Sequence, residues 1–360
     1  MTSPLTLPFL EANAPLRIGI IGCGWFGRVH VERLSEIPNV LVSAVCDPEL
    51  ASAQRLAEQV PPHLRDPETG VVVYTDHHAL LTHTGLQAVS INSPNKWHVG
   101  QLLAALEQGL HVLCEKPLTM IPDEVTQVVA ATEKAQRIVA IAYQSRYRRD
   151  ARILQQELQS GKWGKINFVS VLGSEDWMTP NVGTWRHDPA RCHGGFFGDA
   201  NGHQLDFLFW ATGLEAEWVR ATIDQRGTPV PMVTWGEASL VETAKNPTNL
   251  SKIPMSFSFN GTAHHWREEI CITTEKADFV MRNGQLWWST ENAPLALFPE
   301  SQMDVETVSR PNLPDTGFVA ALRGGPPIVS PPETVWPVLR FTLAALASAA
   351  NAGQPQKTEG

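Results

Sequence analysis

Leu16-Arg17-Ile18-Gly19-Ile20-Ile21-Gly22-Cys23-Gly24-Trp25-Phe26-Gly27 is the stretch on which the fold turns. The short apolar run Arg17 to Ile21 reads as a buried strand. It ends in Gly22-Cys23-Gly24-Trp25-Phe26-Gly27, a G-x-G-x-x-G string. A helical segment then runs to about Ile37, where Pro38 and Asn39 break it. A glycine string that follows a strand and opens a helix has the context of a dinucleotide-binding turn. Gly22 permits the tight turn, Gly24 lets the backbone approach a pyrophosphate, and Gly27 allows close helix–strand packing. Trp25 and Phe26 complete the candidate cofactor turn. The helix start offers unpaired N–H groups and a positive dipole end to phosphates.

The pattern continues outward from that turn. Val40 to Cys46 is the next strand and Glu49 to Gln59 the next helix. Strands over Val71 to Tyr74, Ala88 to Ile91, His111 to Cys114 and Ile138 to Ala142 alternate with helices over His78 to His83, around Val99 to Leu106, and Pro122 to Gln136. Val99, Leu102, Leu103 and Leu106 recur at helical spacing, with Gly109 where a helix-ending glycine belongs. Strands alternating with helices predict an α/β fold, a doubly wound parallel sheet of the Rossmann type over 14–145. Asp47 ends the second strand, where a carboxylate accepts hydrogen bonds from a ribose and repels a 2′-phosphate. The expected cofactor is NAD.

After about Arg146 the texture changes. A helix over Asp150 to Ser160 leads into longer strand-like runs: Ile166 to Leu172, Glu217 to Asp224, Met255 to Asn260, Glu269 to Thr273 and Phe279 to Arg282. Arg282-Asn283-Gly284-Gln285 is a hairpin turn signal. The expectation for 146–360 is a substrate-binding and oligomerisation domain of α+β type, with an open, mostly antiparallel sheet. Gly227 to Pro254 reads as a long loop or insertion, and 333–351 as a closing amphipathic helix.

Composition narrows the class. Of 360 residues, 43% are hydrophobic and 18% charged, which suits an ordinary globular protein. A net charge of −9 with no basic run argues against a nucleic-acid partner. The five cysteines, Cys23, Cys46, Cys114, Cys192 and Cys271, are scattered without a C-x-x-C pair and read as reduced thiols. No metal is expected, since neither the cysteines nor the histidines have a ligand spacing. No stretch reads as a membrane span and the first residues do not read as a secretory signal, so the expected location is the cytoplasm.

Two further stretches carry chemistry. Glu115-Lys116-Pro117 follows the fifth strand, at the sheet edge where ligands bind in such folds. His193-Gly194-Gly195-Phe196-Phe197-Gly198-Asp199-Ala200-Asn201-Gly202-His203 places Asp199 and His203 at i, i+4, which on one helix is one face.

With these motifs in order, the sequence resembles the Gfo/Idh/MocA family of glucose-fructose oxidoreductase, inositol dehydrogenase and their relatives. The resemblance rests on the glycine turn, Asp47, Ser93-Pro94-Asn95-Lys96-Trp97-His98, His111 to Leu118, Trp185-Arg186, the D-x-x-x-H of Asp199 and His203, and the closing Asn351-Ala352-Gly353. It implies that Lys116, Asp199 and His203 line the nicotinamide end of a cleft, and that Ser93, Pro94, Asn95, His98 and Glu115 lie beside the cofactor. It marks Arg146, Trp185 and Arg186 as substrate-side residues. The family's glycine triplet before the acid is here His193-Gly194-Gly195, and the glycine usual two residues after the acid is Asn201.

Oxidising a secondary alcohol removes a hydride from carbon and a proton from the hydroxyl. Free histidine titrates near pH 6.5, which suits His203 as base, with Asp199 orienting it or a neighbouring hydroxyl. A lysine would need a large downward shift to serve as base, so Lys116 is better cast as the cation that stabilises a developing alkoxide. Which of the two accepts the proton stays open. There are 12 tryptophans. Trp97, Trp177, Trp185 and Trp266 lie in segments near these motifs and could face the C–H surface of a sugar ring. The leading expectation is an NAD-dependent dehydrogenase or reductase of a sugar, sugar derivative or cyclic polyol, working as a homodimer or homotetramer. A second is an NAD-recycling glycosidase or lyase that oxidises a sugar hydroxyl transiently. A third is a non-catalytic NAD-binding regulator.

Overall fold

The computed structural model of the chain describes residues 11, 14–242, 252–299 and 311–358. It divides into two compact units: Met1–Ala142 with Pro311–Thr334, and Tyr143–Arg310 with Val335–Gly360.

In the first unit the strands are short and mostly apolar, as burial between two layers of helices favours. They are β1 (Leu16–Ile21), β2 (Val40–Cys46), β3 (Val72–Tyr74), β4 (Ala88–Ile91), β5 (His111–Cys114) and β6 (Val139–Ile141). Between them run α1 (Trp25–Ser35), α2 (Leu50–Gln59), α3 (His77–Leu81), α4 (His98–Glu107) and α5 (Pro122–Ala135). The sheet order is β3-β2-β1-β4-β5-β6 and every pair is parallel. The order reverses between β1 and β4, so their carboxyl ends open a crevice that faces the glycine turn. Asn39 and Gly109 both take positive φ, the first between α1 and β2, the second after α4.

The sequence pattern assigns all of 146–360 to one domain. The chain instead returns to the first unit over Pro311–Thr334. The reason is apolar: Phe318, Val319 and Leu322 of α10 (Pro314–Leu322) are buried in the same core as Leu16, Ile18, Ile20, Val31 and Leu34. Ser330 also completes the ladder at β6, its carbonyl accepting from the Ile141 N–H and its hydroxyl donating to the Ile141 carbonyl.

The second unit is an open sheet with helices. Its helices are α6 (Arg149–Gln159), α7 (Met178–Asn181), α8 (Gly195–Asp199), α9 (Gly202–Thr212) and α11 (Trp336–Ala350). Its strands are β7 (Ile166–Asp176), β8 (Leu214–Asp224), β9 (Val233–Glu242), β10 (Ile253–Asn260), β11 (Thr262–Thr274), β12 (Ala277–Arg282), β13 (Gln285–Thr290), β14 (Ala293–Leu297) and β15 (Gln356–Lys357). The order is β14-β13-β12-β11-β7-β10-β9-β8-β15. Only β7 and β10 run parallel among these pairs. Asn283 and Gly284 both take positive φ, as a two-residue hairpin turn requires, and join paired Arg282 and Gln285.

One expectation fails here. Val233–Glu242, inside the stretch read as a loop, is a ten-residue strand. It pairs along its length with β8 on one side and β10 on the other, so its backbone groups are satisfied by neighbours that its own sequence does not announce. Positions 243–251 of that stretch lie outside the described residues. No helix among the described residues is long and apolar enough to cross a membrane.

Candidate functional site

At the glycine turn each glycine has its own reason. Gly22 has φ +89°, and a Cβ there would stand 2.6 Å from the Asn92 carbonyl carbon and the Ser93 nitrogen. A Cβ at Gly27 would stand 2.1 Å from the Gly22 carbonyl oxygen, so the helix meets the turn backbone to backbone. Gly24 is different: nothing lies within 4 Å of where its Cβ would be. It is the N-cap of α1 and has no side chain to cap with, so no capping side chain takes up the first N–H groups of α1. That is a cradle for an anion. Trp25 beside it is 67% exposed and Phe26 half-buried.

Asp47 follows β2 at the same sheet edge. One of its carboxylate oxygens accepts the Cys23 N–H at 2.9 Å and the other the Glu49 N–H at 3.0 Å. The acid is therefore tied to the glycine turn itself. On the far side of β1, Asn92 continues the β4 register, its N–H donating to the Ile21 carbonyl. Ser93 donates its hydroxyl to Gln101 at 2.6 Å. Asn95 holds a buried side-chain nitrogen, Nδ2, with no hydrogen-bond partner among the described residues, a donor with capacity for a ligand. His98 is fully buried, with Nδ1 2.8 Å from the Pro117 carbonyl and Nε2 2.8 Å from the Ser93 carbonyl. It braces the loop carrying Ser93, Pro94 and Asn95 against the loop carrying Lys116.

Glu115 and Lys116 leave β5, and both are buried. The Lys116 N–H donates to Oε2 of Glu115 at 3.1 Å. The other oxygen, Oε1, lies 3.1 Å from Nε2 of His30, a fully buried residue of α1. Nδ1 of His30 lies 2.6 Å from Oδ1 of Asp315 on α10, and Arg33 approaches the other Asp315 oxygen at 3.5 Å. Neither His30 nor Asp315 was singled out from the sequence. His30 stands three residues past Gly27 on the inward face of α1, which hints at it, but nothing in the chain points to an acid 285 positions away.

The second unit carries the remaining candidates. Gly194 and Gly195 have positive φ, and a Cβ at Gly195 would strike the Pro231 carbonyl at 2.5 Å. They start α8, which ends at Asp199; His203 lies in the first turn of α9. The one-helix expectation for this pair is thus corrected. The Asn201 side chain donates to the Phe196 carbonyl at 2.9 Å, where the Ala200 and Asn201 N–H groups also converge. That crowding on one carbonyl breaks the helix between the acid and the histidine.

Asp199 is buried and accepts from Nε of Arg186 at 2.9 Å. The Arg186 guanidinium sits over the Trp185 ring, 4.4 Å from its centroid. His203 is half-buried, edge-on to the Tyr143 ring at 6.4 Å. Arg146 is 2% exposed and engages Asp206 through Nε at 2.8 Å and a terminal nitrogen at 2.5 Å. Burial pushes the Asp206 carboxyl upward against the pull of Arg146. Among the tryptophans, Trp177 is core, packed on Phe196, whereas Trp97 and Trp266 are more than half exposed.

Residues 16–143 match the family model for the oxidoreductase family with NAD-binding Rossmann fold, and residues 151–249 match that for the GFO/IDH/MocA C-terminal domain. The chain is 29% identical to the D-glucoside 3-dehydrogenase of Escherichia coli (strain K12) over 205 residues, 57% of this chain and 56% of that protein. It is 28% identical to the myo-inositol 2-dehydrogenase of Thermotoga maritima over 230 residues, 64% and 63% of the two chains. These matches span less than two thirds of either relative. Among solved structures, an inositol dehydrogenase homolog complexed with NAD+ from Azotobacter vinelandii has a TM-score of 0.81 at 17% identity, covering 96% of this chain and 98% of that one. A levoglucosan dehydrogenase in complex with NADH and levoglucosan has a TM-score of 0.78 at 17% identity, covering 96% and 100%. At such identities the likeness is one of fold.

Proposed function

Because this chain belongs to the Gfo/Idh/MocA oxidoreductase family, we propose that it transfers a hydride between NAD and a secondary hydroxyl of a sugar, sugar derivative or cyclic polyol. The observation that carries the reading is the cradle at the glycine turn: Gly27 closed on Gly22, Gly24 open, and Asp47 fastened beside it. Relatives named for glucoside and inositol dehydrogenation support the substrate class.

In this reading the N–H groups at the start of α1 hold the pyrophosphate, with Trp25 and Phe26 alongside. Asp47 receives the adenosine ribose and disfavours a 2′-phosphate. Asn95 supplies its buried Nδ2 donor, with Ser93, Pro94 and Glu115 framing the same edge. NAD supplies the hydride acceptor when bound. Lys116 holds positive charge where the alkoxide develops, and His203 takes the hydroxyl proton. Asp199 holds Arg186 and through it Trp185, an arrangement suited to a polyol's hydroxyls and C–H face. Arg146 contributes from within its pair with Asp206, a wall of that side and not a mobile contact.

The test is a panel of sugars, glycosides and inositols with NAD, read at the NADH absorbance and by product analysis. NADH formed in step with a keto product is expected. Glycoside cleavage without net NADH would select the NAD-recycling reading, and NAD binding with no turnover on any substrate would select a regulator. We further propose self-association through the open face of the second unit's sheet, which carries exposed Phe168 and Trp235.

A further inference from the structure

We propose that His30 is a positioning residue for Lys116: clamped between the carboxylates of Asp315 and Glu115, it fixes the carboxylate that accepts the Lys116 peptide N–H. The inference rests on the proposed function in so far as Lys116 acts on substrate.

The geometry is a relay through three segments. α10 brings Asp315, fully buried, to 2.6 Å from Nδ1 of His30. His30 sits on α1, the helix that opens at the glycine turn, and is itself fully buried. Its Nε2 lies 3.1 Å from Glu115 Oε1, and Glu115 Oε2 accepts the Lys116 N–H. A ring with a carboxylate oxygen at each nitrogen satisfies both only when both nitrogens carry protons. Two buried carboxylates also demand a cation between them. The charged groups that face the ring are Asp315 from α10 and Glu115 from the loop after β5; Arg33, one turn along α1, touches the outer oxygen of Asp315. Burial alone would depress His30, but the charge and hydrogen bond of Asp315, joined by those of Glu115, outweigh it and raise its pKa to about 9. The cation therefore persists at neutral pH and is lost on the alkaline side. Its loss would leave Glu115 facing a bare ring nitrogen, and the Lys116 peptide would lose its fixed acceptor. One buried cation thereby couples the cofactor helix to the candidate catalytic lysine.

The test uses the full chain and needs no cofactor. Nitrogen-15 NMR would follow the His30 ring, assigned by its absence in H30Q, and the Lys116 backbone amide across the alkaline range. The amide is expected to move with the same midpoint as the ring. In D315N, which removes one anion from the ring without touching Glu115 or Lys116, both midpoints should fall together, by about one pH unit or more. A Lys116 amide that stays flat while His30 titrates would overturn the proposal, as would a His30 ring that is neutral at pH 7. D315N keeps the proposal testable if H30Q does not fold. In turnover, the alkaline limb of the D315N kcat profile should shift to lower pH by the same amount while KM for NAD stays put. A folded D315N whose limb is unmoved would also overturn it. A coupled amide in a chain that forms no NADH on any polyol would instead sink the proposed function and leave the coupling standing.

Discussion

Gly24→Ala and Gly27→Ala add the same methyl to the same turn and should fail in opposite ways. At Gly27 the new carbon would stand 2.1 Å from the Gly22 carbonyl oxygen, where real Cβ atoms keep at least 3.0 Å. The turn must open by about an ångström, an overpacking strain that costs about 1–3 kcal/mol. At about 2–4 °C of Tm per kcal/mol for a unit of this size, the loss is several degrees. At Gly24 nothing lies within 4 Å, and φ of −79° suits alanine. The stability change there should stay within about 0.5 kcal/mol, because a less flexible unfolded chain offsets a poorer N-cap. Its methyl, however, enters the open space at the start of α1, where the proposed pyrophosphate would approach. A pyrophosphate denied one charge-assisted hydrogen bond loses about 1.5–3 kcal/mol, roughly a 10- to 150-fold rise in Kd. Differential scanning calorimetry and NAD titration calorimetry on both variants read the two quantities separately. Wild-type NAD affinity in Gly24→Ala would refute a pyrophosphate at this turn. A Tm loss in Gly24→Ala equal to that of Gly27→Ala would refute the open space above it.

Other outcomes follow from the same geometry. His203→Ala is expected to lower turnover roughly a hundredfold or more with NAD affinity unchanged, and Lys116→Ala at least as much; full turnover in a folded His203→Ala protein would remove the histidine from the mechanism. Asp47→Ser with an added arginine at the sheet edge should shift preference toward NADP, and tighter NADP than NAD binding by the unaltered chain would contradict the role given to Asp47. Asp206→Ala removes a buried carboxylate that engages the Arg146 guanidinium and should cost about 3–5 kcal/mol in denaturant unfolding; a loss below about 1 kcal/mol would show that this pair does not hold the second unit together. Light scattering at micromolar concentration should give a dimer or tetramer, and a monomer would rule out the sheet face as an interface.

Much of the first unit was legible because its signals are local. The glycine turn spans six consecutive residues, and each glycine's steric reason lies within that turn or against the strand beside it. The strands of the parallel sheet are largely apolar runs, and the Asn283-Gly284 hairpin needs only its own backbone to be recognised. β9 was not legible, since Val233–Glu242 is a strand only by virtue of pairing with β8 and β10 on its two sides. The i, i+4 spacing of Asp199 and His203 suggested one helix. The Asn201 amide, bonded back to Phe196, ends that helix between them.

What the sequence by itself determined is therefore the Rossmann turn, the acid at the end of the second strand, the lysine after the fifth and the antiparallel character of the second sheet. All of these are patterns within a few residues, set by backbone sterics and hydrophobic period. Only the tertiary structure decided that Pro311–Thr334 returns to the first unit, that Arg146 is held by Asp206, and that Asp315 reaches His30 from 285 positions away. Those are long-range choices. Apolar burial of Phe318, Val319 and Leu322 carries α10 home, and a buried charge, once there, must meet its opposite.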